Sequence, residues 1–297
     1  MKFILASPST LPDAAMVQHC AMAAADLKRR LDDLYRHYDH RFVDPDPLQF
    51  VRAQAAPADR EVVGLLASAL AFGNVKAIKS SIGRVLAGLG STAPADALKA
   101  LDPKDLARRL ADFKHRWISG RDVACLLHFA GQMLREQGSI EAFFALGYRA
   151  DAPDVGDALA SFSARALRLD HGGLYRGRGV PAGAGVRFLL PSPEQGSACK
   201  RMNLYLRWMV RRDSVDLGLW SAVPASALVI PVDVHIYNVA RRARLTRYKT
   251  PGWAMARDLT ARLRRFDPDD PVKYDFAFHR MGLFGRDDEI RSLRRHE

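Results

Sequence analysis

Apolar residues recur along this chain at helical spacing and nowhere at strand spacing, which restricts the folds open to it. Val62, Leu65, Leu66, Ala69 and Leu70 follow the i, i+3, i+4, i+7, i+8 template of a helix with one buried face. Phe72-Gly73-Asn74 interrupts the pattern, and Val75, Ile78, Ile82, Val85, Leu86 and Leu89 then resume it. The same reading predicts a first helix over 15–40 and amphipathic segments at 103–117, 121–136, 139–147, 156–169 and 253–266. A last helix is expected from Pro271, with Asp270 as its cap and Tyr274, Phe278 and Met281 on its core face. Without period-two alternation, the chain is predicted to be all-α, with roughly ten helices.

The most informative stretch is LLPSPEQGSACKRMNLYLRWMVRR, residues 189–212. A loop carrying Pro191, Pro193 and Gly196 delivers the chain into a helix whose first residue is Lys200. At roughly 100° per residue, Met202, Tyr205, Leu206 and Met209 share one face. Lys200, Arg207 and Arg211 fall within about 40° of one another on the opposite face. A lysine beside the free N–H groups of a first helical turn meets a dipole that disfavours a cation and favours the nucleophilic amine. A solvated basic face on a core helix would have the same pattern.

Asp233, 33 residues further on, begins a second helix, with Ile236, Val239, Ala240 and Ala243 on one face. An aspartate in that position caps the helix, a role worth roughly 1 kcal/mol. The dipole also holds its carboxylate ionised. An amine and a fixed carboxylate in one cleft suit cleavage of an N-glycosidic bond. The amine attacks the sugar carbon, and the anion faces the oxocarbenium-like charge that develops.

The net charge of +12 and the pI near 9.9 point to a polyanionic partner, with nucleic acid the first candidate. Three cysteines, Cys20, Cys125 and Cys199, are too few for an iron–sulfur cluster and too scattered for a disulfide framework or a four-ligand metal site. The N-terminus, MKFILASPST, holds only a four-residue apolar run, too short for a secretory signal, and no segment reaches membrane-spanning length. The expected location is therefore the cytoplasm. Residues 171–187, HGGLYRGRGVPAGAGVR, cannot form a regular element. They are expected to be a flexible surface loop or one that orders on nucleic acid.

These residues together resemble the helix-hairpin-helix DNA glycosylase superfamily, whose endonuclease III-like members present a catalytic lysine after a Leu-Pro-Gly type turn and an aspartate from a Val-Asp-x-His segment. Leu190-Pro191-Ser192-Pro193 with Gly196 and Lys200 corresponds to the first, and Pro231-Val232-Asp233-Val234-His235 to the second. The 33-residue separation is closer to the archaeal 8-oxoguanine glycosylase branch than to endonuclease III. Upstream, Leu65-Leu66-Ala67-Ser68-Ala69-Leu70 resembles the superfamily's Leu-Leu-Ser-Ala-Gln helix, so the resemblance covers about residues 58–283. Lys200 to Arg211 also matches the signature of an uncharacterised bacterial family, Lys-Arg-x-Asn-x-x-Leu-Arg-Trp-Met-Val-Arg. The hairpin departs from the superfamily pattern: Ser192 stands where the first glycine is expected, and Gly196 is offset from the second.

The resemblance implies a two-lobed fold with a cleft, one lobe a helical barrel over 58–212 and the other joining 1–57 to 213–297. It implies a nucleoid-associated monomer acting on double-stranded DNA without a metal, iron–sulfur cluster or other cofactor. Lys200 would be the nucleophile and Asp233 the charge-stabilising carboxylate. Asn74 would fill the space left by a flipped base, and Lys76, Gly196, Arg207, Arg211 and His235 would contact DNA. The excised base would be an oxidised purine or a hypermodified base. Trp208, Trp220 and Phe276 could stack on a base or serve as core. Three other readings remain: a non-catalytic DNA- or RNA-binding protein on the same fold, a monofunctional glycosylase acting on hypermodified bases, and an RNA- or nucleotide-directed hydrolase using Asp233 alone.

Overall fold

The structure, a computed structural model, describes residues 14–294, with side chains from Met22 onward. The apolar run within MKFILASPST lies outside the described residues, as does the side chain of Cys20. Among the described residues the chain is all-α apart from one two-stranded hairpin. No helix among them is long and apolar enough to cross a membrane.

The N-terminal segment contains α1 (Ala14–His37) and the short α2 (Leu48–Arg52). α3 (Pro57–Ala69) and α4 (Val75–Leu89) follow, joined by the Phe72-Gly73-Asn74 turn. Proline opens both α5 (Pro94–Ala100) and α6 (Pro103–Arg109). The antiparallel strands β1 (Lys114–His115) and β2 (Ile118–Ser119) lead into α7 (Gly120–Gln137), closed by a Ser119–Asp122 capping box. α8 (Ile140–Ala145), α9 (Gly156–Ala166) and α10 (Gly185–Leu189) precede α11 (Lys200–Val210). The chain ends with α12 (Val234–Arg242), α13 (Trp253–Leu263), α14 (Asp275–Phe284) and α15 (Asp287–Ser292).

Among the described residues fifteen α-helices stand where roughly ten were expected, because short ones such as α2, α5 and α10 hold too few residues to show a period. The helix expected over 103–117 stops at Arg109, and the rest forms the hairpin. Buried His115 holds that hairpin on the α3–α4 turn, with its ring nitrogens 2.9 Å from the Phe72 carbonyl and 2.9 Å from Ser81 Oγ. The last long helix starts at Asp275 rather than Pro271, and Asp270 binds Arg211 instead of capping it. The glycine-rich segment does not stand free in solvent. Leu174, Val180 and Val186 are buried, and Tyr175 donates to Asp122 at 2.8 Å, folding the loop onto α7.

α3 lies at the centre, buried without interruption from Glu61 to Ala69 and packed against α2, α5, α7 and α11. Its crossing with α11 is tight: a Cβ on Gly64 would lie 2.8 Å from Met209 Cε and 3.1 Å from Tyr205. Buried Glu61 accepts from Trp220 Nε1 at 2.7 Å and from the amides of Ile140 and Glu141, so it fastens α3 to α8 and to the 213–232 connection. Trp208 and Trp220 are therefore core residues. α11 is buried from Arg201 to Val210 and has no solvent face, unlike the basic stripe predicted for it. The buried apolar residues form one continuous cluster running from α1 to α15.

Candidate active site

The approach to Lys200 is set by local geometry. Ser192 to Gly196 makes a 3-10 turn that ends with Gly196 in the left-handed region, φ 73°. Ser197 Oγ then accepts from the Cys199 amide at 3.1 Å, and Cys199, at φ 47°, turns the chain into α11. The Cys199 thiol is buried, which pushes its pKa up to about 11 and leaves it inert as a nucleophile.

Lys200 extends from the first turn of α11 and is 27% exposed. Its Nζ donates to the Ala71 carbonyl at 2.9 Å and lies 3.8 Å from Asp233 Oδ2. Ala71 follows the last turn of α3, so the amine sits at the negative end of that helix as well as the positive end of its own.

Asp233 divides its carboxylate between two tasks. Oδ1 accepts from the Ile236 amide at 2.9 Å and caps α12. Oδ2 faces Lys200 Nζ and, at 3.5 Å, His279 Nε2 on α14. Burial pushes the Asp233 pKa up, but the Lys200 charge and the capped amide, joined by His279 only where that ring is protonated, outweigh it and hold the carboxyl below its ordinary range. His279 is neutral: burial, reinforced by Arg280 and Lys200 and opposed by Asp233 and Asp46, pushes its pKa down to about 4. The His235 ring meets the His279 ring edge-on at 5.2 Å. α14 comes this close because residue 282 is glycine. A Cβ there would lie 2.8 Å from His235 Cβ and 3.2 Å from its backbone.

These groups open into a cavity of about 470 Å³, within the range of sites that enclose a small organic ligand. Its walls come from the 45–47 segment, the α3–α4 turn, α11, α12 and α14, and include Phe72, Phe188, Leu204 and Phe276. The Arg201 guanidinium lies 3.7 Å above the centre of the Phe188 ring and also bonds its carbonyl. At the rim, Phe72, Phe188 and Trp117 form a three-ring cluster with centroids 4.9–5.4 Å apart. Trp117, at the tip of the β1–β2 hairpin, is 55% exposed.

The structure gathers Lys200, Asp233 and His235 around this cavity. Asn74 and Lys76 stand exposed on the neighbouring turn, where Gly73 and Val75 line the cavity and Asn74 Oδ1 accepts from the Ala77 amide at 2.8 Å. Gly196 lies outside the wall, its carbonyl accepting from the Trp253 amide at 3.1 Å. Arg207 and Arg211 correct the expectation of phosphate contacts. Their side chains are 3% and 2% exposed and serve buried carboxylates. Arg207 binds Asp216 and Asp275, while Arg211 binds Asp213, Asp216 and, through two oxygens at 2.8 and 2.9 Å, Asp270. Sequence reasoning missed His279, Arg201 and Trp117. For His279 the available signal was slight: a polar residue followed three positions later by glycine on a helix with an apolar core face.

The family described as a protein of unknown function, DUF2400, matches residues 46–284, and the chain belongs to it. No curated protein and no solved structure matches the chain.

Proposed function

We propose that this DUF2400 chain is a DNA glycosylase with lyase activity, excising a damaged or modified base from double-stranded DNA. The observation that carries this reading is the amine–carboxylate pair, Lys200 Nζ and Asp233 Oδ2 at 3.8 Å, on the wall of an aromatic-lined cavity. The strong positive charge supports a phosphodiester partner.

In this reading a flipped nucleotide enters the cavity between the 58–212 lobe and the lobe formed by 1–57 and 213–297. Once it has given up a proton, the Lys200 amine bonds to C1′ as the C1′–N bond breaks, and that bond's electron pair leaves with the base. Asp233, still ionised, faces the positive charge that builds on the sugar. Loss of an amine proton and opening of the ring give a Schiff base on Lys200, from which β-elimination cuts the strand. Asn74 enters the vacated stack and Trp117 stacks on an unpaired base beside it, a contact worth about 1–3 kcal/mol. Exposed Lys76 and Arg116, on the turn and the hairpin beside that rim, would meet phosphates.

The test is borohydride trapping on a panel of duplexes containing oxidised purines, alkylated bases and hypermodified pyrimidines. The expected result is a covalent complex on at least one duplex, absent from Lys200→Ala. Base release without trapping would favour a monofunctional enzyme that uses Asp233 to direct water. Tight binding without either activity would show that the fold serves recognition alone.

A further inference from the structure

Asp233 is approached by two nitrogens, and the second is not part of the Lys200 pairing described above. His279 Nε2 reaches the same Oδ2 that faces Lys200, at 3.5 Å. The imidazole is fixed from three sides: α14 rests on α12 through Gly282, the His235 ring stands edge-on at 5.2 Å, and the Nδ1 side is buried. Nδ1 has no hydrogen-bond partner in the protein. A doubly protonated ring would bury an N–H with nothing to accept it, a costly state that favours the neutral ring. With one proton to place, the ring gains most by keeping it on Nε2, towards the carboxylate.

We propose that His279 is a positioning residue for Asp233: as a neutral donor it orients the carboxylate towards Lys200 without neutralising it. This rests on the glycosylase reading. A cation in that place would cancel the charge that Asp233 must present to the developing sugar cation. A neutral N–H fixes the oxygen and leaves the charge available. Loss of the ring N–H would let the carboxylate turn about its side-chain bonds and would remove a 3.5 Å polar contact that favours the ionised form. Asp233 would then titrate at higher pH. The charged and titratable groups around the pair are Lys200 on α11, His235 on α12, Asp275 and Arg280 on α14, and Asp46 ahead of α2.

The experiment compares wild type, His279→Leu and His279→Gln in the full-length protein. Glutamine keeps an N–H donor at a similar reach, and leucine keeps the bulk without it. Single-turnover base release and trapping are followed from pH 4 to 9, with DNA affinity measured separately. The Asp233 carboxyl carbon is titrated by NMR in the free proteins. For His279→Leu the expected loss of rate is on the order of 10²-fold, the size of effect a small misplacement of a reacting group produces. DNA affinity should be unchanged, and both the acid limb of the rate and the NMR midpoint of Asp233 should move to higher pH. His279→Gln should stay within a few-fold of wild type, with neither midpoint moved. Equal losses in the two variants, or an Asp233 midpoint that stays put in His279→Leu, would overturn the proposal while the glycosylase reading stands. A wild type that neither traps nor releases any base overturns both. The NMR titration separates the cases because it needs no substrate.

Discussion

The two ends of α11 carry cations that the helical period places on one face, yet they live in different surroundings. Lys200 is 27% exposed beside a cavity, held by one carbonyl and one carboxylate. Arg207 and Arg211, two and three turns later, meet four aspartates and are almost wholly buried. Asp216 accepts from both arginines, and Asp275, buried against Arg207, has its pKa pushed up to about 6. The contrast shows that angular position on a helix says which residues share a neighbour without saying what that neighbour is. At the N-terminal end the neighbour is a cavity, and at the C-terminal end it is a buried carboxylate cluster supplied by 213–216 and 270–275.

Several substitutions would break or sharpen that contrast. Lys200→Ala should abolish trapping and lower base release by on the order of 10³-fold or more. Its urea midpoint should stay close to wild type, since the cation removed reaches solvent at the cavity and has one carboxylate partner. Arg211→Met should do the reverse, destabilising the protein by about 3–5 kcal/mol in urea because it strands buried aspartates. If Arg211→Met unfolds like wild type and Lys200→Ala does not, the two ends have been assigned wrongly. Gly282→Ala should cost about 1–3 kcal/mol by forcing α14 from α12. It should also slow base release, because His279 and Asp233 sit across that contact. Trp117→Ala, at an exposed tip, should change stability by less than about 0.5 kcal/mol while weakening DNA binding by about 1–3 kcal/mol. A fluorescence-polarisation titration that gives equal affinities would remove Trp117 from the DNA surface.

The remaining effect is a pH dependence. His279 has a folded pKa near 4, below the ordinary value of 6.5. Between those values the unfolded chain binds the extra proton and the folded one does not, so stability rises with pH across that interval. The contribution is complete above about pH 6.5 and is lost as pH falls towards 4. His279→Gln should flatten this part of the stability profile, as measured by thermal melts at fixed ionic strength.

What could be read along the chain was whatever depends on residues three or four positions apart. The apolar period of α3 and α4 and the capping of α12 by Asp233 both act between near neighbours on one helix. The all-α class followed from them. Short elements such as α2 and α10 escaped because five residues contain too little repetition to stand out. The candidate site was legible at Lys200 and Asp233, whose helix-start positions carried a chemical signal, and illegible at His279, 46 residues beyond Asp233 with no motif around it.

Sequence alone therefore determined the longer helices, the cap of α12 and the excess of positive charge, since these depend on local bonding and composition. Tertiary structure decided which cations were spent on stability and which were left at a cavity. Arg211 could be assigned only once Asp270, 59 residues away, was seen against it. Lys200 could be assigned only once Ala71, 129 residues away, was seen to hold its amine. Those partners are chosen by the packing of α3, α11, α12 and α14, and the helical period contains no information about it.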